Sequence, residues 1–136
     1  MGYRKLAESG HRTRYTVATA GPGTYVDLLT DPSIPRGLSG AGTVHHVAFR
    51  VSDDKTQVAA RAVLQQNALM VSPVIDRGYF KSIYYREPAG VLFEIATDEP
   101  GFAIDEPVEA LGTKPSLPPH LEPHRAEIEA GLPKLE

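Results

Sequence analysis

Apolar and polar residues alternate most regularly between residues 44 and 97. In the stretch HHVAFRV, Val47, Phe49 and Val51 fall on one face of a predicted strand, because side chains alternate between the two faces of a sheet. His46 then falls on the opposite face. We therefore expect a strand with one apolar side and one side that is free for polar chemistry.

A helix and three further strands are predicted after this strand. Ser52–Asp53–Asp54 offers capping oxygens and negative charge for the first turn of a helix that extends to about residue 66, with Asn67 as its stop. Its buried side is expected to carry Val58, Ala62 and Leu69. The three strands are expected at residues 70–75, 80–86 and 91–97, with Pro88–Ala89–Gly90 as the last turn. The predicted order, β-α-β-β-β, indicates an α+β fold.

An internal repeat extends the pattern towards the start of the chain. GTYVDLLT matches GVLFEIAT at a constant offset of 67 residues, so that Asp27 corresponds to Glu94. Two more strands are expected before it, at residues 3–9 and 11–19. The counterpart of His46 would fall upstream of Met1. The first repeat is therefore expected to be a βββ module that lacks its first strand and its helix.

These elements predict four segments. The partial module occupies residues 1–31, a Pro/Gly linker residues 32–43, the complete βαβββ module residues 44–98, and a proline-rich tail residues 99–136, with a short helix near residues 122–130. A partial module leaves strand edges and an apolar sheet face uncovered. We expect pairing with another module or chain, as a homodimer or with a complementing chain, to supply the missing cover.

Composition narrows the chemistry. The chain has 136 residues, a net charge of −3 and no cysteine. Disulfides, zinc–thiolate sites and thiol catalysis are excluded, so a metal would be held by His, Asp and Glu side chains. Nothing indicates nucleic-acid or membrane binding, and the start of the chain lacks a signal-peptide pattern, so the expected location is the cytoplasm.

His46 and Glu94 are the best candidates for a metal pair. Both fall opposite the apolar positions of their strands, so they should project from the same face of one sheet. An imidazole with a carboxylate suits iron(II) or manganese(II), although a full facial triad needs one more histidine. On spacing alone, a structural alternative is equally open, in which Glu94 pairs with an arginine or lysine and His46 is a satisfied sheet residue.

Three stretches resemble a known family. They are HHVAFRV, DRGYFKSIYYREPAGVLFEIATDEPGF and LPPHLEPHRAEIEAGLPKL. They resemble the C-terminal part of ring-cleaving dioxygenases of the vicinal-oxygen-chelate (glyoxalase/bleomycin-resistance/dioxygenase) superfamily, of the hydroquinone 1,2-dioxygenase type. The resemblance implies paired βαβββ modules around one metal, with His46 and Glu94 as ligands.

The same resemblance implies roles around the metal. His45 matches an acid/base or substrate-orienting residue, and Arg77 and Tyr84 match groups that bind the substrate oxygen. A solvated turn arginine and a surface tyrosine are the structural alternatives for Arg77 and Tyr84. Family members take a third ligand, a histidine, from a first module that has no counterpart here, and Asp27 is the reserve candidate within the chain.

The function implied is an extradiol-type dioxygenase that acts on a small aromatic diol with O₂ and uses iron(II), manganese(II) or another divalent metal. Its ligand set is incomplete in this chain. Two alternatives stay open on the same fold, because the fold alone does not fix the chemistry: a glyoxalase-type isomerase or lyase, and a non-catalytic small-molecule-binding protein.

Overall fold

The structure is a computed structural model that describes residues 2–17, 19, 21–35 and 37–133. Ala18, which falls in the strand predicted at residues 11–19, and the last three residues of the predicted tail lie outside the described residues. The chain divides into two compact units, Met1–Thr43 and Val44–Glu136. Among the described helices, none is both long and apolar enough to cross a membrane.

The first unit is an antiparallel sheet of three strands in sequential order: β1 (Arg4–Ser9), β2 (Arg12–Thr16) and β3 (Tyr25–Leu29). Gly10 lies in the turn between β1 and β2 with a φ of 56°, a conformation that glycine adopts without a steric penalty. The β-β-β order agrees with the sequence prediction, and β3 lies at one edge of the sheet.

The second unit contains the β-α-β-β-β order that the alternation predicts. Its sheet has the strand order β4-β7-β6-β5, in which β4 and β7 are parallel and the other pairs antiparallel. The α+β fold class is therefore confirmed. The elements are β4 (Val47–Val51), α1 (Asp54–Gln66), β5 (Ile75–Asp76), β6 (Lys81–Arg86) and β7 (Leu92–Thr97).

The core of the second unit lies between this sheet and the helix. Ile83, Tyr85 and Ile95 are its buried hydrophobic side chains. Partly buried residues of the strands, of the helix and of the segment after it pack against them: Val51, Ala60, Leu64, Leu69, Val71 and Phe93. The helix therefore covers one face of the sheet and leaves the other face for the candidate site.

The predicted ends of α1 agree with the structure, but its buried face does not. Asp53 caps the helix, because its Oδ1 accepts a hydrogen bond of 2.7 Å from the Thr56 N–H. Leu69 packs on the core as predicted. Val58, however, is 55% exposed and Ala62 is also exposed, so the prediction was wrong for these two residues.

A polar residue explains the difference. Gln57 is fully buried, and its Nε2 donates to the carbonyl oxygens of Lys81 at 2.7 Å and Ile95 at 2.8 Å. These hydrogen bonds satisfy both protons of the amide nitrogen, although Oε1 is buried without a partner among the described residues, and they turn the Gln57 side of the helix towards the sheet. A prediction based on hydrophobicity alone places Gln57 on the exposed face of the helix.

The strand predicted at residues 70–75 is shorter than expected. The structure has an isolated bridge between Val71 and Tyr85, then the two-residue strand β5. Pro73 lies between them and has no N–H to donate to a neighbouring strand. Ser72 maintains the pairing locally, since its N–H donates to the Tyr84 carbonyl and its Oγ accepts from the Tyr84 N–H.

The tail contains short helices within its described part. Three 3₁₀ helices, Phe102–Ile104, Val108–Ala110 and Pro119–His124, lead to the helix α2 (Arg125–Gly131), close to the helix predicted at residues 122–130. Tyr79 anchors the start of the tail: its ring stacks on Phe102 at 5.3 Å and its hydroxyl donates to Asp105 at 2.7 Å.

Candidate metal centre

Three adjacent strands of the second sheet position the candidate residues. Glu94 of β7 lies between Ala48 of β4 and Tyr84 of β6 in the strand register. The next residues along, Ile95 and Tyr85, belong to the core under the helix. Because side chains alternate along a strand, Glu94 and Tyr84 project from the face opposite the helix.

The carboxylate of Glu94 is buried on this face and has a partner at each oxygen. Glu94 is 3% exposed, and its Oε2 lies 2.8 Å from Nε2 of His46. Its Oε1 accepts a hydrogen bond from the hydroxyl of Ser82. Within the described part of the chain, no arginine or lysine forms an ion pair with Glu94. The arginine or lysine partner of the structural alternative is therefore not found there.

His45 joins this pair through the other side of the His46 ring. The Nδ1 atoms of the two imidazoles are 2.8 Å apart and share one hydrogen bond, and the ring planes are perpendicular. The contact between His46 Nε2 and Glu94 Oε2 is close in distance, and which histidine donates at Nδ1 depends on the tautomers of the two rings. The three residues therefore form one contiguous cluster.

Arg77 and Tyr84 lie against the same group. The rings of Tyr84 and His46 meet edge to face, with their centroids 5.9 Å apart. Arg77 Nη2 donates to the Tyr84 hydroxyl at 3.3 Å, and its guanidinium lies 5.5 Å from the centre of the Tyr84 ring. All five residues singled out from the sequence are therefore close together: His45, His46, Arg77, Tyr84 and Glu94.

Two of these side chains suit a metal by their chemistry and spacing. Adjacent ligands that each lie about 2.1 Å from one ion are about 3 Å apart, close to the 2.8 Å between Nε2 of His46 and Oε2 of Glu94. An imidazole nitrogen and a carboxylate oxygen match the preferences of iron(II) and manganese(II). The described residues contain no group of three or more His, Cys, Asp or Glu side chains that could hold a metal ion. Two ligands therefore fit, and a third is not found among them.

Asp27, the reserve candidate, is engaged in ion pairs. Its carboxylate accepts from Arg14 at 2.7 and 2.8 Å and from Arg12 at 3.1 Å. The hydrogen bond from Arg14 is the largest influence that lowers the pKa of Asp27, to about 2. Both of its oxygens are occupied, so Asp27 has a structural role in the first sheet.

Ser82 was missed by the sequence reasoning. Its position two residues before Tyr84 on the same strand was a usable signal, because alternation places the two side chains on one face. Its contact with Glu94 depends on the register between β6 and β7, which a single sequence does not provide.

Comparison with known proteins gives relatives along almost the whole chain. It is 46% identical over 136 residues to a Bacillus subtilis protein named "Putative ring-cleaving dioxygenase MhqO", with 100% of this chain and 43% of the relative covered. It is 37% identical over 124 residues to the chlorohydroquinone/hydroquinone 1,2-dioxygenase of Sphingobium indicum, with 88% of this chain and 38% of the relative covered. The chain thus spans less than half of the length of these curated relatives.

Solved structures agree with the fold. A crystal structure described as that of a "putative dioxygenase" from Bacillus subtilis matches with a TM-score of 0.89 and 46% identity, over 100% of this chain and 43% of that one. A glyoxylase/bleomycin resistance protein/dioxygenase domain from Frankia matches in fold, with a TM-score of 0.56 and 11% identity, over 70% and 77% of the two chains. The family model of the Glyoxalase/Bleomycin resistance protein/Dioxygenase superfamily matches residues 3–95. The chain belongs to this superfamily.

Proposed function

We propose that this chain is the metal-carrying part of an extradiol-type ring-cleaving dioxygenase that acts on a hydroquinone-like or catechol-like ring. The observation that carries the proposal is the His46–Glu94 pair, with Nε2 and Oε2 2.8 Å apart, and the side chains of His45, Tyr84 and Arg77 beside it. The names of the relatives support the same reaction class. Adding both atoms of O₂ to the ring needs no external reductant.

His46 and Glu94 would hold the metal, with iron(II) as the first choice and manganese(II) as the second. When bound, a divalent ion supplies positive charge that favours the ionised form of a diol hydroxyl, and iron(II) also supplies a site for O₂. A ligand nitrogen cannot keep its proton, so metal binding requires His46 to carry its proton at Nδ1. The hydrogen bond between the histidines then runs from His46 to His45.

His45 is proposed as the acid or base of the reaction. Once its Nδ1 accepts from His46, a neutral His45 carries its proton at Nε2, from which it can be donated to a substrate oxygen. The direction of the histidine hydrogen bond therefore decides whether His45 is ready to act as an acid.

Tyr84 and Arg77 are proposed to bind the ionised substrate oxygen. Because the Tyr84 oxygen accepts from Arg77, its own proton remains available for a further acceptor. The guanidinium charge favours an anion at that position. Together they would stabilise the deprotonated diol.

The third ligand is proposed to come from another polypeptide segment, in a homodimer or from a complementing chain. The relatives are more than twice as long as the matched segment, and the described residues contain no group of three metal ligands. Strands β3 and β4 each lie at an edge of their own sheet, where backbone groups favour pairing with such a segment.

The test is oxygen uptake after anaerobic loading with iron(II) and addition of methylhydroquinone. The chain should consume O₂, and the His46→Ala variant should not. Equal uptake by the two proteins would contradict the proposal for this chain.

A non-catalytic binding protein is the second candidate. The two-ligand set found among the described residues favours it, since a metal held by two side chains binds weakly. Elemental analysis separates the candidates, because the dioxygenase should retain close to one metal per assembled site and the binding protein none.

A further inference from the structure

Ser82 lies beside Glu94 on the neighbouring strand, and the proposed function gives it no role. Its side chain is fully buried, and its hydroxyl donates to Oε1 of Glu94. The other oxygen, Oε2, faces Nε2 of His46 at 2.8 Å. The two oxygens of this carboxylate therefore differ: a hydroxyl engages one, and the other faces the candidate ligand nitrogen.

The backbone around this contact is held from the opposite side of the sheet. Gln57 donates from one Nε2 to the carbonyls of Lys81 and Ile95, at 2.7 and 2.8 Å. Lys81 directly precedes Ser82, and Ile95 directly follows Glu94. Helix α1 therefore ties the two strands together at the point where the hydroxyl meets the carboxylate, which limits their relative movement.

We infer that Ser82 is a positioning residue that keeps Glu94 a one-oxygen metal ligand. Its hydroxyl occupies Oε1, so only Oε2 is offered to an ion that His46 also binds. A carboxylate is able to bind an ion through one oxygen or through both, and the second mode uses an additional coordination position. The inference rests on the proposed function, in which the diol and O₂ need the open positions.

A purely structural role for Ser82 makes a different prediction. A buried carboxylate oxygen without a donor is destabilising, so Ser82→Ala lowers stability in either case. Only a positioning role also changes how Glu94 binds the ion. The test therefore has to read the binding mode of the carboxylate, and activity or stability alone is insufficient.

Infrared difference spectroscopy of the chain labelled with ¹³C-glutamate, with and without Mn(II), provides this readout. The bands of interest are those that Glu94→Gln removes. In the wild-type protein, the asymmetric and symmetric carboxylate stretches should be widely separated, as in one-oxygen binding. In Ser82→Ala the separation should narrow, and Ser82→Thr, which keeps the hydroxyl, should restore it.

Thr97→Val is the matched control. Thr97 is buried on β7, and its hydroxyl accepts a hydrogen bond from the Lys81 N–H and donates one to the Glu99 carbonyl. This variant should lose stability without a change in band separation. If the two carboxylate stretches in Ser82→Ala were as widely separated as in the wild-type protein, the inference would be overturned and the proposed metal pair would remain. Glutamate bands in the wild-type chain that do not respond to Mn(II) would overturn both.

Discussion

Glu94 and Asp27 occupy equivalent positions in the internal repeat, but their neighbours give them different chemistry. Tyr84 is the cross-strand partner of Glu94, and Arg14 is that of Asp27. Two arginines neutralise Asp27, whereas Glu94 meets a serine hydroxyl and an imidazole. The charge of Asp27 is thus balanced within its sheet, and that of Glu94 is left available to a cation.

Asp27 should make the stability of the chain depend on acid pH. Its pKa is about 2 in the folded protein, against 3.8 as the ordinary value, so the folded state holds the carboxyl ionised where the unfolded state protonates it. The stabilisation is complete above about pH 4 and is lost as the pH falls towards 2. Denaturant unfolding between pH 6 and pH 2.5 should show a steeper loss for wild type than for Asp27→Asn. Parallel curves would contradict this.

Tyr84→Phe tests the proposed role of the phenol. Removing one hydrogen-bond donor to a developing anion should lower kcat about 100-fold, with the fold unchanged. The matched control is Tyr79→Phe, since the Tyr79 hydroxyl contacts Asp105 in the tail and does not contact the site. Steady-state oxygen uptake of the two variants checks the prediction, and equal rates would exclude a role for the Tyr84 hydroxyl.

Among the secondary-structure elements, alternation and capping residues were sufficient to predict the order of strands and the ends of α1. They were insufficient for the buried face of that helix, because Gln57 is buried through two hydrogen bonds to carbonyls distant in sequence. They were also insufficient for the second strand of the module, which Pro73 interrupts. Both failures involve backbone hydrogen bonds, either made by a distant side chain or missing at a proline. A pattern of hydrophobic residues does not reveal them.

The candidate site could likewise be predicted only in part from the sequence. The parity of strand positions was enough to predict that His46 and Glu94 share a face, and the resemblance added His45, Arg77 and Tyr84. The Nδ1–Nδ1 contact of the histidines depends on side-chain rotamers. The contact of Ser82 with Glu94 depends on strand register. Neither can be obtained from one sequence.

Gln57→Met should destabilise the second unit more than a change at an apolar position of the same helix. It keeps the length of the side chain but removes the donor to two carbonyls, so the free energy of unfolding should fall by about 2 kcal/mol. Val58→Thr, at a residue that is 55% exposed, should change it by less than about 0.5 kcal/mol. Denaturant titration of both variants checks this, and the reverse ranking would contradict the assigned helix face.

At the scale of the whole molecule, the chain spans less than half of the length of the relatives named above. It contains two units, each with one sheet. Strand β4 carries one edge of the second sheet next to His46, and β3 carries an edge of the first. The backbone groups at the edge of a sheet favour pairing with another strand. We therefore expect assembly to be linked to completion of the proposed metal site.

Native mass spectrometry should detect a dimer of the chain at micromolar concentration, and divalent metal should increase its population, since a ligand that binds only the assembled form stabilises it. The Glu94→Gln variant should not respond to metal. A wild-type chain that stays monomeric with and without metal would contradict self-assembly and would favour a complementing chain.

The most direct test of His46 and Glu94 as metal ligands is anaerobic titration with Mn(II), monitored by the electron paramagnetic resonance signal of the free ion. We expect saturable binding at close to one ion per assembled site, which is lost in both His46→Ala and Glu94→Gln and retained in Asp27→Asn. Binding of equal strength in wild type and in the His46 and Glu94 variants, or no binding in any of them, would contradict the assignment of this pair as metal ligands.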